Sequence, residues 1–153
     1  MPKCYQLIGV PCAGKSTWYN SQEFLDDAVC VSTDHFVERE AKRLGKTYSE
    51  IFNDYMPTAV NLMADLVITT RNLSMDIVWD QTSTTVKSRT RKFNMLPGYD
   101  HIAVVFTTPD IAVLKERLAS RPGKEIPWEI VQGMIDNFEM PTEEEGFKEI
   151  WRV

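Results

Sequence analysis

Short apolar runs alternate with segments of helical periodicity along the whole chain. Apolar runs of strand length predict five β-strands, at residues 4–8, 29–32, 76–79, 102–106 and 148–152. Apolar positions three and four apart predict six helices, at residues 15–25, 35–44, 49–72, 85–95, 111–120 and 128–138. Strands that alternate with helices indicate βαβ units, and therefore an α/β fold with a parallel sheet.

Turn-forming and capping residues mark several of these boundaries. Gly45 is predicted to end the second helix, and Thr47 or Ser49 to cap the third. Pro57 predicts a break or kink inside that third helix. The sequence shows no repeat or low-complexity tract, so residues 1–153 are expected to form one domain.

The segment between the first strand and the first helix matches the pattern G-x-x-x-x-G-K-[ST]. Backbone N–H groups in such a loop, together with the positive end of the following helix, bind the phosphates of a nucleotide. Lys15 is expected to reach the β- and γ-phosphates, and the Ser16 hydroxyl to ligate Mg²⁺. The predicted nucleotide-binding residues are Gly9, Pro11, Cys12, Ala13, Gly14, Lys15, Ser16 and Thr17.

An acidic residue follows each of two predicted strands, Asp34 after the second and Asp80 after the third. In open α/β folds this edge of the sheet faces the bound ligand. Asp34 is therefore placed to accept a proton from an attacking hydroxyl, although capping of the next helix explains its position equally well. Asp80 is placed to hold Mg²⁺ through water, as phosphoryl transfer requires.

The charge of the chain is unevenly distributed. The formal net charge of −5 argues against an indiscriminate nucleic-acid binder, but residues 86–124 carry 8 basic and 3 acidic side chains. A solvated helix face explains the first basic residues of this segment, including Arg89, equally well. The candidate acceptor-binding residues are Thr33, Asp34, Gln81, Thr82 and Arg89.

The second basic group lies where a helix runs into a turn. Arg117 and Arg121 are four residues apart and so project from one helical face, and Pro122-Gly123 follows. Two guanidinium groups on such a segment are suited to a lid, at about residues 117–127, that stabilises a transferring phosphoryl group and excludes water.

Cysteine and histidine usage indicates neither a disulfide framework nor a zinc site. The three cysteines show no C-x-x-C spacing, and His35 and His101 show no partner at the usual metal-ligand spacing. No apolar run reaches the ~18 residues of a membrane span. We therefore expect a cytosolic protein, in the host cytoplasm if a phage encodes it.

The order of these motifs resembles the kinase domain of the phage polynucleotide kinases, among the adenylate-kinase-like P-loop kinases. The residues that carry the resemblance are G-x-x-x-x-G-K-S-T-W, strand-S-T-D, strand-D-x-T and R-x-x-x-R-x-G-K-x-I-P. The resemblance implies a three-layer fold with a five-stranded parallel sheet, helices on both faces and an arginine-bearing lid. It also implies ATP and Mg²⁺ as cofactors, Asp34 as general base, and Lys15 and Arg121 as phosphate-binding residues.

Two positions depart from that family's pattern. The arginine before the base is Thr33 here, and the arginine that grips the acceptor phosphate is Val37. Arg39 is a candidate replacement, although two residues further along a helix is another face.

Three functions follow from these observations. The first is an ATP-dependent kinase of a nucleic-acid hydroxyl, most simply a 5′-hydroxyl of DNA or RNA, with a hydroxymethylated pyrimidine as an alternative acceptor. The second is a kinase of a small molecule or nucleoside. The third is a regulatory module that binds or hydrolyses the nucleotide without an acceptor. The sequence fixes neither the acceptor, nor the ATP over GTP preference, nor the oligomeric state.

Overall fold

A five-stranded parallel sheet organises the molecule, which a computed structural model describes over all 153 residues. The spatial order of the strands is β2-β3-β1-β4-β5, and every neighbouring pair is parallel. The strands are β1 Lys3–Ile8, β2 Val29–Val31, β3 Ile77–Asp80, β4 Asp100–Val105 and β5 Phe147–Arg152. The predicted α/β fold with five parallel strands is confirmed, and each strand boundary lies within two residues of its predicted place.

Six α-helices connect the strands. They are α1 Lys15–Asn20, α2 Thr33–Leu44, α3 Tyr48–Asn72, α4 Val86–Met95, α5 Ile111–Ala119 and α6 Trp128–Asp136. Short 3₁₀ turns occupy Glu23–Leu25 and Glu143–Glu145. None of the helices combines the length and hydropathy that a membrane crossing needs.

The first helix is shorter than the sequence predicts. It ends at Asn20 rather than at residue 25, and a 3₁₀ turn follows. The Ser21 hydroxyl and the Ser21 N–H both donate to the carbonyl of Trp18, and this local bonding competes with continuation of the helix.

The third helix is continuous through Pro57, so the predicted break does not occur. Proline removes one backbone hydrogen bond, but Ile51, Ala59, Met63 and Val67 are buried on both sides of it along the helix. Thr47, rather than Ser49, caps this helix in a reciprocal capping box with Glu50.

Side chains of the strands pack on both faces of the sheet. On one face Cys4, Ile77 and Trp79 contact Met63 and Val67 of α3. On the other face Tyr5, Leu7, Val78 and Val104 form a cluster with Leu25, and Trp18 of α1 packs against it. This two-sided core gives the three layers, and it brings the carboxyl ends of β1, β2 and β3 to one edge, with Leu7 opposite Asp80.

Candidate active site

A cleft of about 1600 Å³ opens at this edge of the sheet. Loop residues 11–18 line one end, which we call the loop end together with Arg117 and Arg121. Asp34, Tyr48 and Lys124 line the other, which we call the Asp34 end. Thr33, Asp80, Gln81 and Thr82 also line the cleft, so the structure brings together all the predicted site residues except Gly9 and Arg89.

The phosphate loop has the backbone conformation that its glycines permit. Gly14 adopts a φ of 97° immediately before α1, in the left-handed region that glycine favours. Gly9 donates its N–H to the carbonyl of Thr82 (3.0 Å), and a Cβ on Gly9 would lie 3.0 Å from the Cβ of Phe106. The loop is thereby held between β1, the segment after β3 and the end of β4.

Lys15 is partly buried in the loop. Its Nζ donates to the carbonyls of Gly9 and Val10, each at 2.8 Å. Burial lowers the pKa of Lys15 to about 8, against an opposing effect of the Asp80 carboxylate. The charged form of such an amine is stabilised by a neighbouring anion, because the anion replaces the hydration that burial removes.

Two arginines converge on the same loop. Arg117 donates to the carbonyl of Cys12 (2.9 Å), and Arg121 approaches the Cys12 sulfur (3.5 Å). Neither arginine forms an ion pair within 4.0 Å, and Gly14 offers no side-chain acceptor to the first turn of α1. Free guanidinium groups, free backbone N–H groups and a partly buried amine fit the phosphates of a nucleotide.

Asp34 is held by two donors at the opposite end. The Tyr48 hydroxyl donates to one carboxylate oxygen at 2.6 Å, and Lys124 Nζ donates to the other at 3.0 Å. Burial alone would raise the pKa of Asp34, but these two groups, together with the nearby charge of Arg121, outweigh burial and hold the pKa below its ordinary value. Asp34 is therefore an ionised acceptor of fixed orientation.

Asp34 does not cap its helix. The cap is Ser32, whose Oγ accepts the Asp34 N–H at 3.2 Å, so the Asp34 carboxylate is free to face the cleft. Neither Tyr48 nor Lys124 was among the predicted site residues. Lys124 lies in the R-x-G-K segment, whereas nothing local to Tyr48 distinguishes it from a residue of the apolar helix face.

Lys124 also joins the segment after α5 to the rest of the cleft. Its Nζ donates to Glu38 (3.2 Å) and lies 4.4 Å from the centre of the Tyr48 ring. Backbone contacts add to this attachment, since Gly123 accepts from the Ser49 N–H at 3.0 Å and the Glu125 N–H donates to Ser49 Oγ at 2.7 Å. Residues 123–125 are thus docked against the start of α3.

Asp80 is the last residue of β3 and lines the cleft. Burial raises its pKa above the ordinary value, and the nearby Lys15 opposes that shift. No hydrogen bond contributes to the charge state of this carboxylate. A half-buried carboxylate in the same cleft as the Ser16 hydroxyl suits a hard cation such as Mg²⁺, which prefers oxygen ligands and retains water.

The remaining polar candidates form a chain of hydrogen bonds across the strand ends. Trp79 Nε1 donates to the Gln81 side-chain oxygen at 3.0 Å, and Gln81 Nε2 donates to Thr33 Oγ1 at 3.3 Å. Thr82 contributes its carbonyl to Gly9. Gln81 and Thr33 are therefore fixed next to Asp34.

Arg89 does not belong to the site, which corrects the prediction for this residue. Its side chain is fully buried, forms a two-bond ion pair with Glu145 (2.8 and 3.1 Å) and donates to the carbonyl of Ser83 (3.0 Å). Lys92 is buried as well, over the ring of Trp79. The alternative of a wholly solvated helix face is also wrong for these two residues.

No residue of α2 supplies the acceptor-phosphate arginine that the family's pattern has at position 37. Val37 is fully buried in a core cluster. Arg39 is exposed, stacks on the ring of Phe36 at 5.1 Å and does not line the cleft.

Comparison of the sequence with known families assigns the chain to one of them. A family profile described as "AAA domain" matches residues 6–141. The chain belongs to this AAA domain family. Among curated protein sequences none matches the chain.

Solved structures with the same fold include several kinases. A candidate kinase from Chloroflexus aurantiacus superposes with a TM-score of 0.71 at 18% identity, over 99% of this chain and 84% of the other. A gluconokinase from Sinorhizobium meliloti gives 0.57 at 17% identity, over 99% and 82%. A chain of the Pnkp1/Rnl/Hen1 RNA repair complex gives 0.68 at 21% identity, over 89% of this chain and 43% of the other. The fold is that of a P-loop kinase-like domain.

Proposed function

We propose that this protein is an ATP-dependent, Mg²⁺-dependent phosphotransferase that acts on a hydroxyl group. The observation that carries this proposal is an ionised, doubly hydrogen-bonded Asp34 in the same cleft as the phosphate loop and two free arginines. A module that only binds nucleotide has no need of an oriented base facing its phosphate loop. The fold shared with a candidate kinase and with a gluconokinase agrees with the proposal.

The loop end would hold ATP. Lys15, the N–H groups around Gly14, and the side chains of Ser16 and Thr17 would surround the β- and γ-phosphates. Ser16, and Asp80 through water, would hold Mg²⁺, which would neutralise charge that develops on the transferring group. Arg117 and Arg121, on a lid at about residues 117–127, would add to this neutralisation and exclude water.

The Asp34 end would hold the acceptor. Asp34 would accept the proton of the acceptor hydroxyl as that oxygen forms its bond to the γ-phosphorus and the bond to the bridging oxygen of ADP breaks. Tyr48 and Lys124 would keep the carboxylate ionised and pointed into the cleft. Thr33, Gln81 and Thr82 would contact the acceptor beside the reacting hydroxyl.

The nature of the acceptor follows from the charges that remain unpaired. Every lysine and arginine that lines the cleft is at the loop end except Lys124, and Lys124 is paired with Asp34 and Glu38. Phe52, which stacks on Tyr48, and Met56 also line the cleft. This arrangement favours an acceptor that carries no phosphate next to its hydroxyl and presents an apolar face, such as a nucleoside or another neutral small molecule.

A nucleic-acid hydroxyl is the second candidate. The order of motifs along the sequence favours it, and a chain of an RNA repair complex shares the fold. The absence of arginine at positions 33 and 37 favours an uncharged acceptor instead.

Transfer of a labelled phosphoryl group from ATP distinguishes these acceptors. The panel comprises 5′-hydroxyl DNA, 5′-hydroxyl RNA, hydroxymethylated DNA, free nucleosides and sugar alcohols, each at low and high salt. An affinity that falls steeply with salt indicates phosphate contacts and a nucleic-acid acceptor. A label that moves only to water, with every acceptor, would remove the kinase assignment in favour of a nucleotide hydrolase.

A further inference from the structure

Three side chains from three different elements meet beside the phosphate loop. They are Cys30 of β2, His35 of α2 and Asp80 of β3, and their ligand atoms all lie within 4.8 Å of one another. The spacing of cysteines and histidines in the sequence gave no indication of this group, because its third member is 45 residues further along the chain. Parallel pairing of β2 with β3 is what brings it into place.

The environment of each side chain suits coordination. Cys30 is a free thiol that is only partly buried and forms no hydrogen bond. Burial and the Asp80 carboxylate raise the pKa of Cys30 to about 12, so the metal ion has to displace the thiol proton. His35 is exposed on the first turn of α2, so its ring can turn toward the other two. The Asp80 carboxylate likewise has no contributing hydrogen bond. No hydrogen bond or ion pair therefore occupies these three donors, and Lys15 acts on Asp80 only through its nearby charge.

The donor set determines which ion fits. Thiolate, imidazole and carboxylate together select zinc-like ions, whereas Mg²⁺ and Ca²⁺ take oxygen ligands. Zinc sites with three protein ligands leave a fourth position open, and their ligand bonds are about 2.0–2.3 Å long. Ligand atoms of a tetrahedral shell with such bonds lie roughly 3.5 Å apart, so small side-chain rotations would close this group around an ion.

We propose that Cys30, His35 and Asp80 form a binding site for a thiophilic divalent metal ion such as Zn²⁺. Binding converts the Cys30 thiol to a thiolate and releases its proton to solvent. The site shares Asp80 with the proposed Mg²⁺ site. Occupation by Zn²⁺ therefore withdraws this carboxylate from the phosphate loop, and the expected consequence is inhibition by zinc.

Cobalt spectroscopy tests the site without any measurement of activity. Co²⁺ is titrated into the reduced, nucleotide-free protein in the absence of Mg²⁺. We expect one equivalent to give an intense thiolate-to-cobalt band with the visible bands of tetrahedral Co²⁺, and Zn²⁺ to abolish both. A spectrum that stays at that of hydrated Co²⁺ would overturn the proposal.

Variants identify the ligands. Cys30→Ser should remove the thiolate band, and His35→Ala should weaken Co²⁺ binding at least about tenfold, since loss of outer partners alone weakens metal sites tenfold or more. His35 is exposed, so His35→Ala keeps the test valid even if Cys30→Ser disturbs the strand. Cys12→Ser is the matched control, because Cys12 is the other partly buried thiol of the protein, and it should retain the band. A band lost in Cys12→Ser and retained in Cys30→Ser would place the metal at the phosphate loop and refute the site.

Discussion

The two ends of the cleft treat their charges in opposite ways. At the loop end Arg117 and Arg121 contact only a carbonyl and a thiol, and Lys15 donates only to carbonyls, so none of the three cations has a carboxylate within 4.0 Å. At the Asp34 end the only lysine is paired with Asp34 and Glu38. Unpaired cations can bind an anionic ligand, whereas the charges of the paired network already neutralise one another and orient a base.

The comparison also separates two cations that are close in sequence. Arg121 and Lys124 both lie on the segment after α5, yet the first contacts the phosphate loop and the second contacts the base. Loss of the first should affect charge stabilisation in the transition state. Loss of the second should affect the protonation of Asp34. The variants below test whether this division holds.

The largest effect is expected for Asp34→Asn. The amide cannot accept the proton of the hydroxyl, so we expect transfer to fall by about 10²–10⁴, the usual contribution of a general base. Nucleotide affinity should stay within about twofold, measured by titration calorimetry. Asp54→Asn removes an exposed carboxylate from α3, outside the cleft, and should leave the rate of transfer unchanged. An Asp34→Asn variant with full activity would end the proposed mechanism.

Arg121→Ala should have the next largest effect. Removal of one charge-stabilising group typically costs 10²–10³ in kcat, and we expect a loss of that order. The acid limb should move only slightly to higher pH, because Arg121 lowers the pKa of Asp34 through its charge and not through a hydrogen bond. Arg39→Ala is the matched control, since Arg39 is an exposed arginine that does not line the cleft. If Arg39→Ala raised the KM for the acceptor, Arg39 would be the replacement for the acceptor-phosphate arginine, and the uncharged-acceptor proposal would be wrong.

Tyr48→Phe and Lys124→Ala should shift a pH profile rather than abolish activity. Both groups lower the pKa of Asp34, so their loss raises that pKa. The active form is the ionised one. The acid limb of kcat/KM therefore moves to higher pH, with a loss that is largest in acid and small at alkaline pH.

Tyr55→Phe provides the control for the tyrosine variant. Tyr55 lies on the same helix and packs in the cluster around Ile51. Its substitution should leave the acid limb in place. Equal losses at every pH in Tyr48→Phe would instead indicate that Tyr48 shapes the cleft without controlling the charge of Asp34.

The sequence predicts the loop end far better than the Asp34 end. The phosphate loop is a contiguous pattern whose conformation is set locally by Gly14 and by the strand and helix that flank it. The network around Asp34 joins residues 34, 48 and 124. Such contacts depend on how α2, α3 and the segment after α5 pack, and no local rule encodes that packing.

Arg89 is a second example of a contact that the sequence does not predict, here for a residue that was wrongly assigned to the site. A basic residue on a predicted helix is normally solvated or functional, and its burial depends on Glu145, 56 residues further along the chain. The alternation of strands and helices, by contrast, depends on local periodicity and local turn signals. This is why the order and most boundaries of the elements agree with the structure.

The smallest expected effect is the uptake of a fraction of a proton at the loop end when ATP binds to the unaltered protein. The pKa of Lys15 is lowered to about 8 by burial, so near pH 8.5 a large part of the free protein carries a neutral amine. Phosphates beside Lys15 favour its charged form, and ATP binding should therefore take up a fraction of a proton at that pH and almost none at pH 6.5. Calorimetry in buffers of different ionisation enthalpy measures this uptake directly. Lys15→Arg, which stays charged throughout, should abolish it, and an uptake that persists in this variant would assign the proton to another group.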